Sequence, residues 1–137
     1  MLASGGGGAT CTPSAMNPLD KGANIVLSND DRTVTNGVAT WNSVRGAVQI
    51  SGKVYFEGYI DAAAGSSAPG IGIATDVSAV LSTYPGGAAG SIACYYDNEA
   101  GSPDDLKCYN GGSLTRHATG QDGGTGRTVM IAVDADI

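Results

Sequence analysis

The sequence predicts an all-β chain folded as an antiparallel β-sandwich, for two reasons. Glycine accounts for 22 of the 137 residues, and a glycine inside a helix costs about 1 kcal/mol relative to alanine. Short runs of β-branched and aromatic residues recur at intervals of roughly 8–12 residues, separated by Gly, Asn, Asp and Ser. The glycine content argues against a helical protein, and the spacing of the runs favours two packed sheets.

Residues 1–22 differ in composition from the rest of the chain. They include four consecutive glycines at positions 5–8, followed by Pro13 and Pro18. Such a segment has few side chains to bury and much backbone entropy to lose. We predict a Gly/Pro-rich N-terminal arm or linker over residues 1–22, either flexible or ordered only against a neighbouring subunit. The sandwich would then occupy residues 23–137.

Eight segments have the composition and alternation of strands. They are residues 24–28, 32–35, 41–50, 54–60, 70–74, 91–97, 106–110 and 127–134. Asn36-Gly37 directly follows the second segment and is a strong hairpin-turn signal. The one helical pattern is a short turn within residues 76–84, and the Pro-Gly-Gly sequence that begins at Pro85 would end it.

The clearest strand is residues 54–60. Its apolar residues and glycine would occupy one face, and Tyr55, Glu57 and Tyr59 the other. Residues 70–74 alternate glycine with isoleucine before ending in alanine. Because a glycine in a strand often marks a close approach of backbones, we expect the two layers to approach each other at these glycines.

The three cysteines leave two interpretations open. Cys11, Cys94 and Cys108 cannot all pair within one chain, and their spacing with the lone His117 fits no zinc pattern. In the first interpretation all three are thiols in a reducing cytosol. In the second, Cys94 and Cys108 form a disulfide, because they lie in strand-like runs on either side of a turn. Their even spacing could place them opposite each other in a hairpin.

The charge balance bears on the class of partner. The formal net charge is −6, and the few basic residues are scattered along the sequence, whereas duplex binding requires basic residues that neutralise phosphates. No basic stripe could bind an anionic membrane surface, and no apolar run approaches the ~18 residues of a transmembrane helix. We therefore predict neither a nucleic-acid partner nor a membrane partner.

Motifs for catalysis or metal binding are weak. His117 is the one histidine and lies in a turn-like stretch, with no Gly-x-Ser-x-Gly elbow to serve it. The glycine-rich residues 123–127 lack the Gly-Lys-Ser/Thr ending of a phosphate-binding loop. Asp134 and Asp136 supply too few oxygens for a calcium shell. We predict no catalytic residue, no metal and no cofactor.

Tyrosine is the dominant aromatic residue, with six copies against one Trp and one Phe. Tyrosine suits surfaces that are partly buried and partly hydrated, as in interfaces. The tyrosines either pack on sheet faces with their hydroxyls at the rim, or form a patch that contacts a saccharide or a protein. The candidate binding residues for such a patch are Tyr84, Tyr96 and Tyr109.

Five segments resemble, in their order and spacing, the signature of SPRY domains. They are residues 41–45 (WNSVR), 51–57 (SGKVYFE), 70–74 (GIGIA), 81–86 (LSTYPG) and 129–134 (VMIAVD). The resemblance covers residues 24–137, and the Gly- and Ser-rich loops look closest to the SPRY-like modules of tailed-bacteriophage virion proteins. It implies a concanavalin-like, bent sandwich of two antiparallel sheets that serves as a binding scaffold and not as an enzyme. We expect Trp41 to fill the core of that sandwich.

The resemblance leads to two functional expectations. The first is a head-decoration, tail or fibre component that holds other virion proteins, assembles in the host cytoplasm and forms a homo-oligomer. The second is a receptor-binding module that recognises a host-surface glycan or protein through the loops at residues 62–69, 84–90 and 98–105.

One departure from the family pattern concerns the last strands. The pattern continues with a further strand and an Asn-Gly turn, whereas this sequence stops at Ile137. We expect either a fragment of a longer protein, truncated at its C-terminal end, or a sheet completed by a strand from a neighbour. A sheet that lacks its last hairpin would expose an edge, and exposed edges recruit partners.

Overall fold

The computed structural model describes residues 14–62, 69–75, 81, 83, 84, 86–97, 105–118 and 125–134. Ten strands occupy these residues: β1 (Met16–Lys21), β2 (Ile25–Ser28), β3 (Thr33–Asn36), β4 (Val44–Gly46), β5 (Lys53–Ile60), β6 (Gly70–Ala74), β7 (Ser91–Asp97), β8 (Asp105–Asn110), β9 (Ser113–Ala118) and β10 (Arg127–Asp134). No described residue lies in a helix, so none of them belongs to a helix that could cross a membrane. The all-β prediction is confirmed.

The strands form four antiparallel sheets. The largest has the order β6-β7-β8-β9, and three two-stranded sheets pair β5 with β10, β2 with β3, and β1 with β4. The strand β9 was not predicted, because its sequence around His117 looks turn-like. It forms a hairpin with β8 through Gly111 and Gly112, both of which have a positive φ. The predicted strand at residues 41–50 is reduced to the three residues of β4.

The pairing of β5 with β10 is continuous. It runs without a register shift from Lys53 opposite Asp134 to Ile60 opposite Arg127. Along β5, exposed residues alternate with half-buried ones and the strand ends at the buried Ile60. This alternation confirms the faces predicted from the sequence, with Tyr55 and Tyr59 on the exposed side.

This two-stranded sheet packs against the four-stranded one, consistent with a β-sandwich. The sheets approach each other closely at Gly58 in β5, where an added Cβ would lie 2.7 Å from Cδ1 of Ile71 in β6. Gly72, by contrast, is constrained within its own sheet, because a Cβ there would collide with the backbone of Ile92 and with Ala93. The prediction that the glycines of residues 70–74 allow the layers to approach is therefore wrong at Gly72. The layer contact depends on a glycine in the opposite sheet.

The hairpin of β2 and β3 turns at residues 29–31. Asn29, Asp30 and Asp31 have positive φ values of 54°, 53° and 59°, and the N–H of Arg32 donates to the carbonyl of Ser28 at 3.1 Å. Asn and Asp tolerate the left-handed conformation because their short side chains bond locally. Asn36 closes β3, opposite Ile25. Asn36-Gly37 is expected to turn the chain into a hairpin with the next strand segment, but among the described strands β3 pairs with β2 alone and β4 pairs with β1, so that hairpin is not formed.

Part of the segment assigned to the N-terminal arm forms β1. This strand pairs with β4, and the two are joined by an ion pair in which Arg45 Nη1 lies 2.9 Å from both carboxylate oxygens of Asp20. Lys21 Nζ donates to the carbonyl of Ile25 at 2.7 Å, which links β1 to β2. The glycines at positions 5–8 lie outside the described residues.

The buried core is small. Among the described residues, the hydrophobic ones that are buried are Ile25, Ile60, Ala93 and Tyr95, and none of the large side chains is completely buried. Trp41 keeps 43% of its surface exposed. The expectation that Trp41 fills the core is therefore wrong: its ring is exposed and contacts Tyr95 of the four-stranded sheet.

Candidate functional site

Four aromatic rings form a continuous cluster, here called the aromatic cluster and consisting of Trp41, Tyr84, Tyr95 and Tyr109. The ring of Trp41 lies 6.1 Å from that of Tyr84 and 5.8 Å from that of Tyr95, centroid to centroid. Tyr109 lies 5.0 Å from Tyr84 and 5.5 Å from Tyr95. Each ring thus contacts two others at distances typical of favourable aromatic pairs.

The register of β7 and β8 places two of these rings on one face of the sheet. Ala93 lies opposite Tyr109, and Tyr95 lies opposite Lys107. Tyr95 and Tyr109 are therefore diagonal neighbours on the same face, within reach of each other. Their rings stack with only 8° between their planes. The strand pairing alone fixes this half of the aromatic cluster.

The loop that follows Tyr84 supports the other half. Gly86 has a φ of +74°, and a Cβ at this position would lie 2.5 Å from the carbonyl oxygen of Tyr109. Gly87 leaves no room either, since a Cβ there would lie 2.7 Å from the ring of Tyr84. The N–H of Gly112 donates to the Gly86 carbonyl at 2.9 Å. The two glycines thus let the loop close around the Tyr84 ring.

The structure brings together two of the three predicted binding residues. Tyr84 and Tyr109 are neighbours in the aromatic cluster. Tyr96 lies opposite Leu106 in β7, and its side chain is outside the described part of the chain. Sequence reasoning missed the contributions of Trp41 and Tyr95. The register implied by pairing Cys94 with Cys108 would have placed Tyr95 diagonally across from Tyr109.

Cys94 and Cys108 are direct partners in the β7–β8 pairing. Their Sγ atoms are 1.98 Å apart, so the structure contains a disulfide that links two positions 14 residues apart. The structure therefore agrees with the second interpretation, a Cys94–Cys108 disulfide, and not with three free thiols. Cys11 lies outside the described residues. Because Cys94 immediately precedes Tyr95, the disulfide ties together the strands that carry the stacked pair of tyrosines.

A second aromatic surface lies on the outer side of β5 and β10. We call it the tyrosine face, and it consists of Tyr55, Glu57, Tyr59 and Met130. Tyr55 is 58% exposed, Tyr59 64% and Met130 65%. Glu57 lies directly opposite Met130 across the two strands. The tyrosine face therefore combines exposed apolar area with a single carboxylate.

Within the tyrosine face, the hydroxyl of Tyr55 donates a hydrogen bond to a carboxylate oxygen of Glu57. This hydrogen bond, with smaller contributions from desolvation and from the negative charge of Glu57, raises the pKa of Tyr55 above its ordinary value of 10.0. The protonated phenol is the donor. The Tyr55–Glu57 hydrogen bond therefore contributes to stability below the unfolded-state pKa of Tyr55. This contribution is lost as the pH rises through the higher folded-state pKa of Tyr55.

The variant Glu57→Gln is expected to lower the pKa of Tyr55, because the charged acceptor of its hydroxyl is lost. The pKa is measured by following the ring resonances of Tyr55 in an alkaline NMR titration, with Tyr55→Phe to assign them. Asp134→Asn, which removes another exposed carboxylate of the same sheet, should leave the pKa of Tyr55 unchanged. An unchanged Tyr55 pKa in Glu57→Gln would contradict the role of this hydrogen bond.

The described residues contain no group of three or more His, Cys, Asp or Glu side chains that could hold a metal ion. Asp134, one of the two carboxylates considered for a cation, has its Oδ2 atom 3.6 Å from Lys53 Nζ; Asp136 lies outside the described part of the chain. The aromatic cluster and the tyrosine face provide aromatic rings, tyrosine hydroxyls and a carboxylate, which are groups suited to non-covalent contacts. No protein-family model matches the chain, and no curated protein matches its sequence significantly.

Proposed function

We propose that this chain is a non-enzymatic structural or interaction protein of a tailed-bacteriophage particle, acting as a head-decoration, tail or fibre component. In this proposal a SPRY-like sandwich binds neighbouring virion proteins in a particle that assembles in the host cytoplasm. The binding involves no nucleic acid, membrane or cofactor. The assignment to a virion is supported by the five segments that resemble SPRY-like phage modules. The assignment to a binding role is supported by the surface of the molecule.

The observation that carries the binding role is the tyrosine face. Tyr55, Tyr59 and Met130 each leave more than half of their surface exposed on one side of a regular two-stranded sheet. Tyr and Met are enriched at protein interfaces, since their large apolar area can be buried while the hydroxyl keeps a polar partner. A contiguous exposed apolar patch on a folded domain is typical of an interaction site.

The small core is consistent with this role. Only four hydrophobic residues are buried among those described, and exposed large side chains occur in several strands, including Val26 at 62%. Burial of apolar surface is the main favourable contribution to folding. A sandwich with so little buried inside one copy would gain stability from contacts with neighbouring subunits.

The proposal is tested by mass spectrometry of particles purified from the producing host, in which this polypeptide should be present. Tagged chains supplied in trans should be incorporated, and the double variant Tyr55→Ala, Tyr59→Ala should be incorporated at a lower level. The matched control is Val26→Ala with Val48→Ala, which truncates two comparably exposed side chains elsewhere. Absence of the polypeptide from purified particles would overturn the virion role. Equal incorporation of both double variants would overturn the role of the tyrosine face.

The alternative is a receptor-binding module, which the position of Trp41 favours. Its ring lies at the exposed margin of the aromatic cluster, beside the Tyr84 loop that the sequence predicts as a recognition loop. A partly exposed ring held in place by two others is a rigid surface for a ligand. In this case Trp41→Ala should abolish binding of the purified protein to host cells, and its incorporation into particles should be unchanged. Tyr55→Ala, Tyr59→Ala should leave binding to cells intact.

A further inference from the structure

The aromatic cluster and the tyrosine face lie on opposite sides of the sandwich. Ile71 approaches Gly58 of β5, and Cys94 lies opposite Ile71 in the register of β6 and β7. These two residues therefore share the face of the four-stranded sheet that is turned toward β5 and β10. Tyr95 follows Cys94 and projects from the other face, where it contacts the rings of the aromatic cluster. In β5, Tyr59 follows Gly58 and likewise projects away from the layer contact.

The parts of the sequence that form the aromatic cluster contain no charged residue. Three segments carry its four rings: residues 33–44, 77–96 and 108–115. None of them contains Asp, Glu, Lys or Arg, although these residues account for 15% of the chain. Lys107, across from Tyr95 in the sheet, is half-buried. A surface of this composition selects a neutral ligand, because an ionic ligand would lose water without gaining an opposite charge.

Trp41 gives this neutral surface an exposed ring. The indole is 43% exposed, whereas Tyr95 beside it is 6% exposed. The planes of Tyr84 and Tyr95 are inclined to the indole by 61° and 56°, so neither tyrosine stacks flat on it. The electron-rich face of an aromatic ring attracts polarised C–H groups. The apolar face of a pyranose ring presents such groups, and one pyranose is about as large as the indole.

Uncharged polar groups surround the carbonyl of Thr40, next to the indole. The side-chain amides of Asn36 and Asn42 donate to this carbonyl at 2.8 Å and 3.2 Å, and Asn42 Nδ2 also donates to Thr40 Oγ1 at 3.0 Å. The Thr40 hydroxyl retains its own proton as a donor, and the amide oxygen of the exposed Asn36 is an acceptor. An aromatic surface with a few placed donors and acceptors suits a sugar, which carries hydroxyls around an apolar ring.

The segment that carries Trp41 is fixed by backbone contacts. The N–H of Ser43 donates to the carbonyl of Leu81 at 3.2 Å, and the N–H of Gly22 donates to the carbonyl of Ser43 at 2.8 Å. Asn42 packs against Gly22, where an added Cβ would lie 2.7 Å from Asn42 Oδ1 and 2.7 Å from the carbonyl oxygen of Leu81. A site that is ordered before its ligand arrives loses less entropy on binding.

We propose that the margin of the aromatic cluster at Trp41 binds a neutral sugar. Its pyranose ring stacks on the indole, and its hydroxyls bond to the Thr40 hydroxyl and to the amide oxygen of Asn36. The inference rests on the receptor-binding form of the proposed function, and it names the ligand class and the site. Because the tyrosine face lies on the other side of the sandwich, a chain held in a particle by that face keeps Trp41 available for a carbohydrate.

The binding is tested by isothermal titration calorimetry of the purified chain with neutral hexasaccharides of glucose, mannose, galactose and N-acetylglucosamine. Hexagalacturonate, which carries a carboxylate on every ring, is the charged counterpart of the galactose probe. At least one neutral probe should bind with a dissociation constant in the millimolar range or below, and hexagalacturonate should not bind. Binding of none of the four neutral probes, or tighter binding of hexagalacturonate than of the galactose hexamer, would overturn the inference.

The site is tested by substitutions on both sides of the sandwich. Trp41→Ala should raise the dissociation constant of the bound neutral probe about tenfold or more, whereas Trp41→Tyr keeps a ring and should retain most of the affinity. Thr40→Val removes only a hydroxyl and should raise the dissociation constant about tenfold, and Thr40→Ser should restore it. The control is Tyr55→Ala, Tyr59→Ala, which truncates two exposed rings of the tyrosine face and should leave the affinity unchanged.

The Thr40 pair tests the site independently of any loss of folding in Trp41→Ala. Equal affinity of wild type and Thr40→Val, together with equal affinity of wild type and a folded Trp41→Ala, would overturn the site.

The inference and the proposed function fail in different ways. A chain that is present in purified particles but binds no neutral probe would overturn the sugar site and leave the virion role standing. Trp41-dependent binding to host cells that no neutral probe reproduces would point to a protein receptor, which overturns the sugar site and leaves the receptor-binding alternative standing. A chain that binds a neutral probe through Trp41, yet is absent from particles, would support the site and overturn the virion role.

Discussion

Replacing Tyr95 by alanine is expected to lower the free energy of unfolding by about 4 kcal/mol, the scale observed for truncation of a buried large aromatic side chain. Tyr95 is only 6% exposed, and its ring contacts both Trp41 and Tyr109. Removing it leaves a cavity in one of the few buried parts of the chain and removes two ring contacts. Urea unfolding followed by circular dichroism measures the loss.

The matched control for Tyr95→Ala is Tyr59→Ala, since Tyr59 is 64% exposed in the same type of element. Its unfolding free energy should change by less than about 1 kcal/mol. Tyr95→Phe keeps the ring and should retain most of the stability. Equal unfolding midpoints for Tyr95→Ala and Tyr59→Ala would contradict the structural role of the aromatic cluster.

The second large effect is expected from the double variant Cys94→Ala, Cys108→Ala. A disulfide that closes a loop of this length, 14 positions in the sequence, contributes about 3 kcal/mol, chiefly by restricting the unfolded chain. The loss should be measurable as a lower urea midpoint under non-reducing conditions. In so small a core, a change of this size is a large part of the total stability.

Reduction provides an independent measurement of the same bond. Wild-type protein in a reducing buffer should unfold at the midpoint of the double variant, while the double variant should not respond to the reductant. Cys11→Ala is the control and should keep both the wild-type midpoint and its response to reduction. If reduction left the wild-type midpoint unchanged, the stabilising role of the Cys94–Cys108 bond would be contradicted.

The alternating strands were predictable because a single local rule governs them. In β5 one side chain in two is turned inward, so the order of residues 54–60 alone defines both faces. The inward side of β10 follows in the same way from Val129, Ile131 and Val133. The even spacing of Cys94 and Cys108 similarly indicated a register in which the two cysteines lie opposite each other, and this is the register of the β7–β8 hairpin.

Features that depend on contacts distant in sequence were not predictable from local patterns. The β2–β3 turn uses three consecutive non-glycine residues in the left-handed conformation, which residues other than glycine seldom adopt. The aromatic cluster joins Trp41, Tyr84 and two strands, and no sequence spacing shows that these segments meet. Trp41 is large and apolar enough for a core position, but it keeps 43% of its surface exposed while its ring contacts those of Tyr84 and Tyr95.

The location of Trp41 allows binding to be followed by the intrinsic tryptophan fluorescence of the protein. Trp41 is the single tryptophan of the sequence, so all indole fluorescence comes from one margin of the aromatic cluster. Tyr84 and Tyr95 lie within 6.1 Å and 5.8 Å of the indole, close enough to pass excitation energy to it efficiently. A ligand that covers Trp41 would shift its emission to shorter wavelength. A partner that binds only the tyrosine face would leave that emission in place, so one unlabelled titration distinguishes the two binding surfaces.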